Sequence, residues 1–267
     1  MRTLLLLLFF SFVCSRTLQA EDLPDHSKWG RILKTYVHDG LVDYKGLLQA
    51  RSELDDYLKE LENISIETLA EANREERIAF WINLYNASVI RMMLNEYPIA
   101  SLSDIPAAFD IRTIRAIDEF FSLAELRDQV LRKGFKDERI LTALTSARMD
   151  SPKLMPEALQ GKTLDAQLDR SAERFVEDDE RNQIKVGEKK IFLSPLFRIF
   201  EDDFLLNYSS KTGPSKFSDA EAAVISFILH YLRDSEKRLF LDRGRYQVAY
   251  LPEDPRLNEW RDEKESV

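Results

Sequence analysis

The sequence predicts an α+β fold, a helix-rich single domain with a small, mostly antiparallel sheet. Three observations carry this reading. Apolar residues recur at spacings of three and four over the first third of the chain, the mark of buried helical faces. Two later stretches alternate apolar and polar residues around short turns, as hairpins do. No internal repeat, low-complexity linker or Pro/Gly/Ser-rich seam divides the 267 residues.

Taken in order, Trp29, Ile32, Leu33, Tyr36 and Val37 mark the first helix, and His38-Asp39-Gly40 stops it. Glycine suits the left-handed position that follows a helix. Leu47, Leu54, Tyr57, Leu58 and Leu61 predict a second helix over 47–61, and a third runs over about 74–97 until Pro98 closes it. The period then changes. Residues 109–121 alternate through Ile111 and Thr113 around Ala116-Ile117-Asp118, a short hairpin. Ser122, with Glu125 three residues on, forms a capping box for a helix through Arg132. Residues 139–145 read equally as a strand or as the start of a buried helix, and 154–176 reads as a helix. Ile184-Lys185-Val186 and Lys190-Ile191-Phe192-Leu193 flank Gly187-Glu188 as a second hairpin. Ser194 then caps a helix with Pro195 at its first position, 217–232 gives another helix, and 247–251 a last strand.

Residues 1–20 have the pattern of an export signal: Arg2, an apolar core over 4–13 interrupted by Ser11, and Leu18-Gln19-Ala20 ending on a small residue. That core is too short to span a bilayer, which needs about 20 apolar residues. Cleavage after Ala20 is expected. Cys14 offers lipidation as the rival, but the bulky Phe12 and Val13 disfavour it. The remaining 21–267 contains no cysteine, which excludes disulfides, cysteine nucleophiles and thiolate metal sites. Such a chain suits an oxidising compartment, so a periplasmic or secreted protein is expected. Without Arg2 and Arg16 it holds 36 basic and 47 acidic residues. That acidity argues against nucleic acid, whose phosphates need clustered positive charge, and against anionic lipid. No second apolar stretch is long enough to be a transmembrane span.

Within the third helix, Phe80-Trp81-Ile82-Asn83-Leu84-Tyr85-Asn86-Ala87 sets two amides, a phenol and an indole in an apolar run. Burying Phe80, Trp81, Leu84 and Val89 obliges Asn83 and Asn86 to find partners, because an unpaired buried amide costs about 1–3 kcal/mol. Three apart, the two asparagines share one helix face. That face is either a polar network locking the core or the wall of a site.

As Ala-Phe-Trp-Ile-Asn-x-Tyr-Asn-Ala over 79–87, the same stretch resembles the signature of the family of domain of unknown function 547. Upstream, Trp29, Tyr36-Val37 and Gly40-Leu41-Val42-Asp43-Tyr44 are similar to the family's opening segment. Downstream, Tyr97-Pro98, Ser122-Leu123, Asp137-x-Arg139-Ile140, Ser151-Pro152, Asp203-Phe204 and Leu257-Asn258 extend the resemblance over 29–258. It implies a papain/transglutaminase-like layout, a central helix packed on an antiparallel sheet. It also exposes a departure. Where family members often carry a His, a Cys and a second Cys-Pro, this chain has Leu141, Ser146 and Ser151. Where they tend to carry an acidic residue followed by a polar one, it has Arg127 and Asp128. The resemblance therefore implies a degenerate reactive cluster.

Ser146 or Ser151 would need a nearby base to act as a nucleophile, and Leu141 cannot be one. His26, His38 and His230 are scattered. Both serines also read as ordinary loop hydroxyls. The histidines lack zinc-site spacing. Asp178-Asp179-Glu180 and Glu201-Asp202-Asp203 lack the alternating oxygens and central glycine of a calcium loop, so no metal is expected, and the first cluster reads as a solvated loop. With eight glycines and no phosphate loop, no nucleotide or other cofactor is expected. Asp203 is expected to pair inward with Arg139, a buried arginine–carboxylate bond that would hold two segments in register. Two functions compete. One is a binding or scaffolding module, its groove walled by Trp81, Asn83, Tyr85 and Asn86 and suited to a peptide, glycan or protein ligand. The other is a cell-envelope hydrolase or acyl transferase using Ser146, Ser151, or the Asn83/Asn86 face with Asp203.

Overall fold

A computed structural model describes residues 23–208 and 217–262; the signal expected over 1–20, with Cys14, lies outside them. Helix α1 (Ser27–Tyr36) runs into the two-residue strands β1 (Val37–His38) and β2 (Leu41–Val42), an antiparallel pair. Asp39 and Gly40 make the turn, both left-handed at φ 48° and 85°. The single helix expected over 47–61 is two, α2 (Tyr44–Gln49) and α3 (Arg51–Glu62), separated at Ala50. Next comes α4 (Ile66–Glu71), a helix not foreseen, capped by the Ser65 hydroxyl.

Helix α5 (Arg74–Glu96) carries the Phe80–Ala87 motif. An Asn73–Glu76 capping box opens it, and Ile78 to Ile90 are buried without a break. A helix buried all round must be wrapped by other elements. Its wrapping includes α2 and α3 together with four later elements. Strands β3 (Ile114–Ala116) and β4 (Glu119–Phe121) form the expected hairpin. Helix α6 (Leu123–Glu125) starts on the expected Ser122–Glu125 capping box and passes into a π-helix over Leu126–Arg132, then α7 (Lys133–Phe135) and α8 (Arg139–Ala143).

The helix expected from residue 154 begins only at α9 (Leu164–Glu177). Pro152 and Pro156 remove donors from the segment before it. Its Leu159 and Gln160 amides bond to the side chains of Asn83 and Gln167 at 3.1 and 2.8 Å instead of to a helical ladder. After it, β5 (Gln183–Lys185) and β6 (Lys190–Leu193) form the second hairpin. Helices α10 (Pro195–Ile199), α11 (Glu201–Tyr208), α12 (Asp219–Tyr231) and α13 (Ser235–Asp242) follow. Strand β7 (Gln247–Tyr250) joins β6 in parallel, Ile191 opposite Val248. The other ladders are antiparallel, so the fold is α+β with small, mostly antiparallel sheets.

Two apolar cores form. One surrounds α5. The other gathers Phe175, Phe197, Phe204 and Phe227, with ring centroids 5.0–6.0 Å apart. Helix α9 links them, with Leu164 and Leu168 in the first and Ala172, Phe175 and Val176 in the second. Ile191 and Leu193 of β6 lie in the second core, whereas α5 packs chiefly on helices. The central-helix-on-sheet layout is therefore not the arrangement around α5. No helix among the described residues is long and apolar enough to cross a membrane.

His26 supplies a pH-dependent contribution at the edge of the first core. It is 5% exposed, and its Nδ1 lies 2.8 Å from the Tyr57 hydroxyl, whose ring stacks on Trp29. Burial pushes the imidazole down to about 4, so the ring against the Tyr57 hydroxyl is neutral at neutral pH. Because the folded value lies below the unfolded one of about 6.5, this stability is present above that pH and lost as pH falls toward 4. The expected loss between pH 7 and pH 4.5 is on the order of 2–3 kcal/mol. Urea unfolding at both pH values should show it in the natural protein, and a smaller loss in His26→Gln.

Candidate functional site

A cleft of about 210 Å³ opens between the two cores. Tyr85 of α5 and Leu144 reach it from the first core, and Leu141, Leu196 and Phe200 from the second. The loop 144–152 runs along it and carries Ser146 and Ser151.

Two buried clamps hold that loop. The Asn86 amide donates to the Ala143 carbonyl at 2.9 Å and accepts the Thr145 N–H at 2.9 Å. The Thr145 hydroxyl accepts the Ala147 N–H at 3.1 Å, and Ala147 is left-handed at φ 57°, so the backbone turns sharply at Ser146. Farther on, Arg181, 4% exposed, donates Nε to the Ser151 carbonyl at 2.6 Å and Nη2 to the Met149 carbonyl at 2.7 Å. Its Nη1 meets Asp178 at 2.7 Å. Asp178 is therefore no solvated loop residue; its side chain is 8% exposed, with Lys153 3.7 Å away.

The π-helix builds the opposite wall. Widening a helix by one residue per turn re-aims side chains, and such segments recur at functional sites. Here Arg127 donates Nε and Nη2 to Asp128 at 2.9 and 2.8 Å. Arg132 donates to the same carboxylate at 2.8 Å and to Asp203 at 2.6 Å. The Arg127 guanidinium lies over the rings of Phe109 and Phe200, 5.7 and 5.4 Å from their centroids. Tyr85 lines the same recess, and burial keeps its phenol protonated far above neutral pH. At the mouth, Arg148 holds Asp150 at 2.6 Å and Glu253 at 2.8 Å.

Several expected site residues lie elsewhere. Trp81 packs edge-on against Phe80 and Phe121. Asn83 gives its amide to both polar groups of Leu159, at 2.9 and 3.1 Å. Of the groove expected from Trp81, Asn83, Tyr85 and Asn86, only Tyr85 lines the cleft. The two asparagines are the polar network of the core. Arg139 does not meet Asp203. It meets Asp137, Asp165 and Asp169 at 2.7–2.8 Å, because α8 packs on α9, which presents the last two one turn apart. Asp203 takes Arg132 in its place.

Ser146 is half-buried in the cleft. Ser151 also lines it but donates its hydroxyl to the Arg148 carbonyl at 2.8 Å. None of the three histidines lines the cleft. His26 is on Tyr57, His38 lies against Trp260, and His230 lies against Tyr208 and Tyr231. Among the described residues no group of three or more His, Cys, Asp or Glu is placed to hold a metal ion. Sequence reasoning missed Arg148, Arg181 and Glu253. Only Arg181 left a signal, an arginine three residues after an aspartate.

Residues 69–176 match the model of a family described as "Protein of unknown function, DUF547", and this segment is similar to that family. The match includes Tyr85, Arg127, Leu141, Ser146 and Ser151, and is narrower than the 29–258 over which the resemblance was expected. No curated protein and no solved structure matches.

Proposed function

We propose that the protein is an exported binding module whose cleft holds a ligand without transforming it. The cleft itself carries this reading. Leu141, Ser146 and Ser151 come together in one recess, where a serine would need a base to become a nucleophile. The carboxylates lining it, Asp150 and Glu253, are both tied to Arg148, and no imidazole lines it. What is retained is an apolar recess with a few fixed polar groups, the usual composition of a binding site. At about 210 Å³ it is smaller than the roughly 300–1,000 Å³ of sites that enclose a whole drug-sized molecule. That size favours one apolar side chain of a peptide or protein over a glycan. Residues 1–20 support export.

A cell-envelope hydrolase or acyl transferase is the second reading, favoured by the half-buried Ser146 in the cleft. Mass spectrometry of the purified protein with a peptide library separates the two. The expected result is peptides retained intact by the natural protein and released by Ser146→Trp, which fills the recess. New peptide products that disappear in Ser146→Ala would make this a serine enzyme.

A further inference from the structure

We infer that the ligand is an apolar group bearing a carboxylate, seated with its carboxylate on Arg127 and Tyr85 and its apolar part on Leu141, Leu144, Leu196 and Ile199. This rests on the binding reading above and names the chemistry the cleft selects.

The donors come first. A guanidinium has five N–H groups. Asp128 takes two from Arg127, which leaves the remaining N–H groups, on the cleft side with the Tyr85 hydroxyl, for a ligand. The two rings that flank Arg127 hold the plane in place, so those donors are presented as a fixed edge, the geometry that matches a carboxylate. Tyr85, 1% exposed, lines the cleft with Arg127 and holds its proton, available to donate. Ser146 adds a half-buried hydroxyl in the same recess.

The charges agree with the donors. Arg127, Asp128, Arg132 and Asp203 form a ladder of alternating sign, because Asp128 is shared between both arginines and Arg132 between both aspartates. Its positive end, Arg127, lines the cleft, while its negative end, Asp203, does not. Across the mouth, Arg148 is outnumbered by Asp150 and Glu253. An anionic group is therefore drawn to the Arg127 wall and repelled from the other. The rest of the lining is mainly aliphatic and aromatic, which asks for an apolar body.

This chemistry has two sources, the C-terminal residue of a peptide or a free acyl chain. Titration calorimetry distinguishes them with four probes: N-acetyl-Leu-Leu, its C-terminal amide, octanoate and octanamide. The acid of one pair is expected to bind about 10-fold or more tightly than its amide, a difference of about 1.4 kcal/mol. Arg127→Gln should reduce that ratio to below about 2-fold. Should that variant unfold, Tyr85→Phe serves instead and should narrow the acid-to-amide ratio in the same direction. Equal affinity for acid and amide, lost in Ser146→Trp, overturns the carboxylate inference and leaves the binding module standing. Absence of binding by all four probes overturns both.

Discussion

Replacing Asn86 by alanine is expected to lower the unfolding free energy by about 3 kcal/mol and to abolish ligand retention by the cleft. The magnitude follows from what is orphaned. Asn86 is 5% exposed, and its amide is the side-chain partner of the Ala143 carbonyl and the Thr145 N–H. Removing it leaves two backbone groups without their bonds in an apolar surrounding, at about 1–3 kcal/mol each before relaxation. The loss of binding follows from position, since 143–145 leads directly into Leu144, Thr145 and Ser146 of the cleft. Asn83→Ala is the matched control. It orphans both polar groups of Leu159 and should destabilise by a similar amount, yet Leu159 does not line the cleft. Denaturant unfolding gives the stabilities. Ligand retention measured where both variants remain folded should fail for Asn86→Ala alone, and equal failure in both would show that Asn86 has no special hold on the site.

The second large effect is expected at Arg181. Arg181→Ala should cost about 4 kcal/mol, because it leaves Asp178 as a buried carboxylate without its close partner. It also strips the Met149 and Ser151 carbonyls of their donor. Lys153 at 3.7 Å from Asp178 compensates only in part. An Arg181→Met, Asp178→Leu double variant removes both charges together. Such swaps of a buried ion pair are often neutral, so the double should recover at least half of the single variant's loss, leaving a deficit from the two carbonyls. A double variant no more stable than Arg181→Ala would locate the cost in the carbonyls and not in the charge.

These two clamps also show what was legible in the sequence and what was not. Local signals were well read. The Ser122–Glu125 and Ser194-Pro195 helix starts stand where their side chains place them, both hairpins form, and the need of Asn83 and Asn86 for partners was evident from their apolar neighbours. Which partners they take was not. Leu159 and Thr145 lie 76 and 59 residues away, and backbone groups carry no identity that a sequence pattern can reveal. The same blindness produced the Arg139–Asp203 error. Both residues do pair, but with carboxylates and guanidiniums that only the packing of α8, α9 and the π-helix decides. The stretch 154–176 reads as one helix, but the prolines at 152 and 156 delay its start to Leu164. The π-helix over Leu126–Arg132 left no pattern in the sequence.

The segment 254–260 stitches distant parts of the chain together. Asp254 N–H meets Asp150, Arg256 accepts from Met149, Leu257 donates to Ala100, and Asn258 donates to Ala147 and accepts the Tyr44 hydroxyl. The last bond closes a gap of 214 residues in sequence. Contacts so far apart must be won against the entropy of a long loop, and they slow folding in proportion. The carbonyl of Ala147, next to Ser146 of the cleft, therefore takes its partner from near the other end of the chain.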